Sequence, residues 1–234
     1  ARAAQPGWAG ATAYNRGQVL YRIAEMLEGR RDQFIRSVAS SDDRSAAEAE
    51  QTVGAAIDRW VWYAGWSDKF AQVAGAGNPV AGPFFNLSVP EPVGVVAAIA
   101  PQQSSLLGLV SVIAPIIVAG NTVVVVASEA RPLPALELAE VLATSDVPAG
   151  VVNILTGHTS ELAPVLAAHL DVNAFDAAGL AGSDTTDVEI AAADNVKRVV
   201  RAPQREPDFT ATPNGPERIL TFCETKTVWH PKGL

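Results

Sequence analysis

Few residues in this chain combine the type and the spacing that chemistry requires. Its one thiol, Cys223, sits in ILTFCETKTVW, and the three histidines, His158, His169 and His230, are scattered without metal-ligand spacing around it. A structural zinc needs four such donors converging on one point, so no metal is expected. A single cysteine excludes a disulfide framework and suits a reducing compartment, which makes the cytoplasm the expected location. Four aromatics, Trp60, Trp62, Tyr63 and Trp66, have the look of a ligand cage, but on a long helix they read as core packing.

The elements that must hold these residues follow from composition and periodicity. With 234 residues, 48% of them hydrophobic, the chain can bury a substantial core as one domain with an appendage. A formal net charge of -8 repels nucleic-acid phosphates and anionic membranes. No run of Lys and Arg offers a local exception, so neither is an expected partner. The most apolar stretch, Leu106 to Ala127, has the length of a membrane span. Gly108, Ser111, Pro115, Gly120, Asn121 and Thr122 interrupt it, which predicts a buried helix, a turn and a buried strand instead. The opening ARAAQPGW shows no signal-peptide pattern and reads as the middle of a helical region, so residues upstream of it are expected.

Helical spacing predicts one amphipathic helix from Arg16 to Ser37 and a second from Ala46 to Phe70. A loop from Gly75 to Pro83 leads to an alternating strand, Phe84 to Val89, which Pro90 and Pro92 confine to an edge or an end. Then apolar strands alternate with helices. The strands are Val93 to Ala100, Thr122 to Ala127, Val151 to Gly157 and a short VNAFDA; the helices are Leu106 to Val118, Pro134 to Ala143 and Glu161 to His169. Strands apolar on both faces, joined by right-handed crossovers, give a doubly wound parallel sheet of nucleotide-binding type, an α/β fold. A last strand, KRVVR, ends at Pro203; QREPDFTATPNGPE behaves as a linker, and ILTF and ETKTVW suggest a β-rich end.

At this point the residues identify a family. EPVGVVAAIAP (Glu91 to Pro101), VIAPIIVAGNTVVVVASE (Val112 to Glu129), PLPALELAEVL and DVPAGVVNILTG (Asp146 to Gly157) closely resemble the aldehyde dehydrogenase superfamily. So do YAGWSDK (Tyr63 to Lys69), before the family's oligomerisation hairpin, and ETKTVWHP, similar to its C-terminal strand. The resemblance implies a Rossmann-like nucleotide-binding domain with a small β oligomerisation element. It divides the chain into N-terminal helices (1–74), hairpin (75–92), nucleotide-binding domain (93–203), linker (204–217) and C-terminal oligomerisation strand (218–234).

The departures from the family pattern bear most on function. The family attacks its aldehyde with a cysteine in a context like FxNxGQxC, because a thiolate adds to the carbonyl and frees a hydride for the nicotinamide. No such motif exists here, and Cys223 outside it reads as a small apolar side chain. The strand resembling KRVxLELGG reads KRVVRAPQR, which puts Ala202 where the general-base glutamate belongs. Gln103 in PQQ stands for the oxyanion-stabilising asparagine, its amide displaced by one methylene. Judged against the family's usual length, the resemblance also implies that a catalytic domain is absent between the nucleotide-binding half and the tail. In the cofactor pocket, Val126 replaces the lysine of KPSE, while Ser128 and Glu129 remain and Glu129 can still accept from a ribose hydroxyl. FTGS reads FDAA, so Ala177 and Ala178 take the places of the glycine and serine, and Asp176 adds a negative charge near the phosphates. Gly157 and Gly182 are vestigial phosphate-side candidates, and like Gly120 they read more simply as turn glycines.

A module with these losses resembles the nucleophile-free second module of two-module aldehyde dehydrogenases. The resemblance implies a truncated, non-catalytic protein that binds NAD or NADP weakly if at all, so no cofactor is expected. It would serve as a structural or regulatory subunit of a full-length aldehyde dehydrogenase, or assemble with itself. The alternatives are an NAD(P)-dependent oxidoreductase whose site a partner completes, or a free self-assembling module. The expected interface is Thr225, Lys226, Thr227, Val228 and Trp229, an exposed strand with unpaired backbone groups that would join a neighbouring subunit's sheet; the alternative is that the tail folds back on its own hairpin.

Overall fold

The structure is a computed structural model and describes residues 1–183, 185–211, 213 and 215–233. The linker positions 212 and 214, and 234 in the tail, lie outside the described residues. The chain opens with α1 (Gln5–Gly10), α2 (Ala13–Glu28), α3 (Arg31–Ser41), α4 (Ala46–Ala64) and α5 (Phe70–Ala74). Two helix starts are set by the sequence. The Thr12 side chain accepts from Asn15 N–H to cap α2, and Ser45 with Glu48 forms a reciprocal capping box on α4.

Where periodicity predicts single helices over 16–37 and 46–70, the structure has breaks at Gly29 and Gly65. Both glycines cap a helix through N–H bonds to carbonyls in the turn before. A glycine in a helix interior costs ~1 kcal/mol relative to alanine, so the chain turns where helix is cheapest to end.

Strands β1 (Ala76–Gly77), β2 (Phe84–Pro92) and β3 (Val95–Ile99) precede α6 (Leu107–Val118). Then follow β4 (Thr122–Val126), α7 (Leu133–Ala143), β5 (Val152–Leu155), α8 (Thr159–Ala168) and β6 (Ala174–Asp176). The chain ends with α9 (Thr186–Ala193), β7 (Arg198–Val200), α10 (Glu217–Leu220) and β8 (Cys223–Pro231). The apolar run that raised the membrane question is α6 and β4 joined by a turn. Among the described residues no helix is long and apolar enough to cross a membrane.

Five strands form a parallel sheet in the order β5-β4-β3-β6-β7. Alternate residues of β3 serve two cores. Val96 and Ala98 face the cluster built by α2, α3, α4, α6 and α7, while Ala97 and Ile99 face Ala163, Leu166 and Phe175 on the other side. Every residue of β3 and α6 is buried, as helix cover on both faces requires. The sheet is therefore doubly wound, with its switch point between β3 and β6.

A second sheet has the order β1-β2-β8, all antiparallel. β1 reaches only Ser88 and Leu87 of β2, so Pro90 and Pro92 lie beyond it and pair on one side only. One expected strand is absent: Ile219 and Leu220 of ILTF lie in α10. Pro216 starts that helix and puts Ile219 and Phe222 together in the core.

Candidate functional site

In a doubly wound sheet a ligand sits beyond the strand ends at the switch point. Here that crevice is bounded by the turn after β3, residues 100–105, and by the turn after β6, residues 177–183. The backbone N–H groups of Gln102, Gln103 and Ser104 converge into the kind of concavity that binds anions. Their anion comes from the same chain. The Glu206 carboxylate accepts from Gln102 N–H at 2.7 Å, from Gln103 N–H at 3.0 and 3.1 Å, and from Ser104 N–H at 3.0 Å.

The other side of the crevice is closed by the same stretch of chain. Asp176, whose place in FDAA predicts a charge near the phosphates, is engaged by groups of its own chain. It is 0% exposed, accepts from Ala178 N–H at 3.0 Å and forms an ion pair with Arg218 at 2.6 Å. Its charge is thus spent on α10 rather than on the crevice. Ala177 and Ala178 are buried, and Ala177 N–H is bonded to the Val200 carbonyl. Next to them Gly179 packs so closely on β3 that a Cβ there would overlap the Ala100 carbonyl. Gly182, with φ +74°, donates its N–H to the Pro203 carbonyl at 3.1 Å; it is a turn glycine that ties the loop to the linker.

Ser128 and Glu129 lie at the end of β4, and Gly157 lies at the end of β5, so the structure does bring these three to one edge of the sheet. Their polar groups are already satisfied. Ser128 Oγ donates to the Gln102 carbonyl at 3.0 Å. The Glu129 carboxylate accepts from Thr159 N–H at 2.9 Å, capping α8, and contacts His158 Nδ1 at 2.8 Å. The His158 hydrogen bond holds the Glu129 carboxyl below its ordinary range, and the same bond raises the His158 imidazole. Gly157, with φ +152°, forms the turn before this cap. Val126 lies beneath, fully buried in the second core cluster.

Of the positions that the resemblance links to catalysis, Ala202 carries no titratable group and Gln103 keeps an amide, while the one thiol lies elsewhere. Burial pushes the Cys223 thiol up to about 11, and its sulfur is bonded to the Ile219 carbonyl at 3.4 Å. At neutral pH such a thiol is ~1 part in 10⁴ thiolate. Ala202 is half-buried against the second core, and Gln103 is exposed. Among the described residues no group of three or more His, Cys, Asp or Glu is placed to hold a metal ion.

Glu206, Arg218, Arg59 and Gln102 make the contacts that shape this region, and the sequence pattern does not single them out. The first two look like ordinary charges in or after a linker. Their partners are a backbone turn and a buried aspartate that only folding brings near.

The tail strand forms its first partnership within the chain. β8 pairs with β2 from Phe84↔Pro231 to Pro92↔Cys223, so Thr225, Lys226, Thr227, Val228 and Trp229 have one edge occupied. Side chains reinforce the register: Ser88 Oγ meets Thr227 Oγ1 at 2.8 Å, Lys226 pairs with Glu91 at 3.1 Å, and Phe84 meets Trp229 edge to face at 5.8 Å. Among the described residues no strand lies on the opposite edge of β8, and Trp229 remains 58% exposed.

Residues 1–202 match the profile of the aldehyde dehydrogenase family. Over 163 residues the chain is 37% identical to (Z)-2-((N-methylformamido)methylene)-5-hydroxybutyrolactone dehydrogenase of Acinetobacter baylyi, a match covering 69% of this chain and 33% of that protein. It is 32% identical over 195 residues to aldehyde dehydrogenase, cytosolic 1, of Elephantulus edwardii, covering 82% and 38% respectively. Among solved structures, a putative aldehyde dehydrogenase from Burkholderia cenocepacia superposes with a TM-score of 0.80 at 29% identity, over 85% of this chain and 41% of that one. The matched region thus spans between a third and about two fifths of the length of these relatives. Sequence motifs, sheet order and these likenesses agree: the chain belongs to the aldehyde dehydrogenase family.

Proposed function

We propose that this chain is a non-catalytic member of the family, a structural or regulatory subunit that assembles with a full-length aldehyde dehydrogenase or with its own copies. The observation that carries the reading is the filled switch-point crevice. Glu206 occupies the N–H groups of residues 102–104, where an anionic ligand would be received. NAD or NADP does not fit this arrangement, because Glu129 already caps α8 and Val126 has no charge to offer a ribose or phosphate. Only residues 201–216 join β7 to α10, too few for a catalytic domain with its nucleophile. The single buried thiol favours the cytoplasm as its location.

Assembly in this reading runs along the outer edge of β8. An edge strand with exposed Val228 and Trp229 is a template for another chain's strand. Val228→Lys places a charge on that strand while β2 keeps its backbone pairing. Light scattering on the chain mixed with a full-length aldehyde dehydrogenase of the same cell, and on the chain alone, tests the reading. The intact chain should add mass to the partner or self-associate, and Val228→Lys should lose at least tenfold in affinity, about 1.4 kcal/mol. Equal assembly by both forms, or none by the intact chain, would overturn it.

A further inference from the structure

The linker closes the crevice without packing flush against the helices beneath. Between Val200, Pro203, Pro207, Phe209 and Pro213 on one side and helices α4, α6 and α10 on the other it leaves a cavity of about 350 Å³. That volume is at the small end of ligand pockets. At ~30 Å³ per water-sized group it has room for about a dozen non-hydrogen atoms. Pro203, Pro207, Phe209 and Val200 make its wall largely apolar.

Its polar groups are unusual in what they lack. Arg59 is 6% exposed, and among the described residues no carboxylate lies within ion-pair distance of it. Its guanidinium donates only to neutral oxygens: Ser111 Oγ at 2.6 Å and the carbonyls of Phe209 and Ala211 at 2.7 and 2.9 Å. A buried cation without a countercharge is costly, and burial lowers its pKa accordingly. Arg218, also in the lining, is neutralised by Asp176. The ring of Tyr63 is 1% exposed, and its hydroxyl has no hydrogen-bond partner among the described residues. Burial pushes that hydroxyl up to about 12, so it stays protonated and able to donate. Among the described residues, a buried cation with no carboxylate partner and a hydroxyl with no hydrogen bond thus line one largely apolar cavity, a combination that matches a carboxylate on a hydrocarbon body. Phosphate or sulfate would leave the apolar wall wet, and a neutral apolar molecule would leave Arg59 unbalanced.

We propose that this cavity binds a small amphipathic carboxylate, with its carboxylate held by Arg59 and Tyr63 and its hydrocarbon against Pro207 and Phe209. The chain's net charge of -8 works against non-specific capture of an anion, so affinity must come from these local groups.

Isothermal titration of the full chain with 4-phenylbutyrate, with its neutral isostere 4-phenylbutanamide and with inorganic phosphate tests the proposal. The acid should bind at least tenfold more tightly than the amide, and phosphate should give no saturable heat. Tyr63→Phe keeps the ring contact with Trp62 and the linker bonds of Arg59, so it tests the site without disturbing the fold. It should weaken the acid five- to tenfold, by the worth of one hydrogen bond to a charged group, and the amide less. Arg59→Met, where circular dichroism shows it folded, should abolish the preference for acid over amide. Equal affinity for acid and amide, an unchanged acid affinity in Tyr63→Phe, or no saturable acid binding up to ~10 mM would overturn the proposal.

Discussion

Arg218→Met would isolate the contact that ties the tail to the sheet. Asp176 is 0% exposed, and its oxygens have two partners, Ala178 N–H and the Arg218 guanidinium. Methionine keeps an unbranched apolar chain over Phe222, which the guanidinium now covers at 5.5 Å. It leaves a buried carboxylate with a single backbone donor. Removing one partner of a fully buried pair costs ~3–5 kcal/mol. The Arg218 side chain is 36% exposed, so solvent already screens the cationic end, and ~2–3 kcal/mol is the working figure. For a chain of this size that corresponds to a fall of ~4–12 °C in the thermal midpoint. Urea unfolding followed by tryptophan fluorescence reads the change directly. The double variant Asp176→Thr/Arg218→Met removes both charges and should recover more than half of the loss. A single-variant loss below ~0.5 kcal/mol, or a double variant no better than the single, would refute the reasoning.

Three further outcomes follow from the same contacts. Glu206→Ala removes the acceptor from three backbone N–H groups and should cost ~2 kcal/mol in urea unfolding, with faster proteolysis after Arg201 or Arg205; an unchanged midpoint would show that water replaces the carboxylate. Cys223 should resist a disulfide reagent at pH 7.4 until the chain is unfolded, because its thiol is raised to about 11 and buried; rapid labelling of the native chain would contradict that burial. In an NMR titration the His158 ring should protonate above its ordinary pH and return toward it in Glu129→Gln. The Glu129 carboxyl is lowered and the imidazole raised. The contact is therefore strongest between the ordinary carboxylate and histidine values: it fades as pH falls through the Glu129 value and as pH rises through that of His158.

The sheet was legible in the sequence because its strands are apolar on both faces and its turns carry Gly120, Gly157 and Gly182. The helix breaks were harder to see, since Gly29 and Gly65 sit inside unbroken apolar periodicity and only their capping bonds reveal them. Helix α9 escaped because its buried face is two residues, Val188 and Ala192. That Cys223 lies outside an FxNxGQxC context, and that Ala202 and Val126 stand where the family pattern has charged residues, could be read from residue type alone. How the chain's own groups fill the switch-point crevice could not, because Glu206 binds backbone groups and Arg218 binds an aspartate 42 positions away. Asp176 shows the limit well: its charge was evident, but its direction depended on a helix that ILTF gave no sign of forming. The strand edge was half legible, since β8 is exposed as expected but spends its first edge on β2.

Calorimetric titration of NAD and NADP into the isolated chain tests most directly whether its own linker has taken the place of the cofactor. With Glu206 on the crevice N–H groups and Glu129 capping α8, the account predicts no saturable binding at ~100 μM dinucleotide, and a dissociation constant below ~10 μM, about -7 kcal/mol, would contradict it.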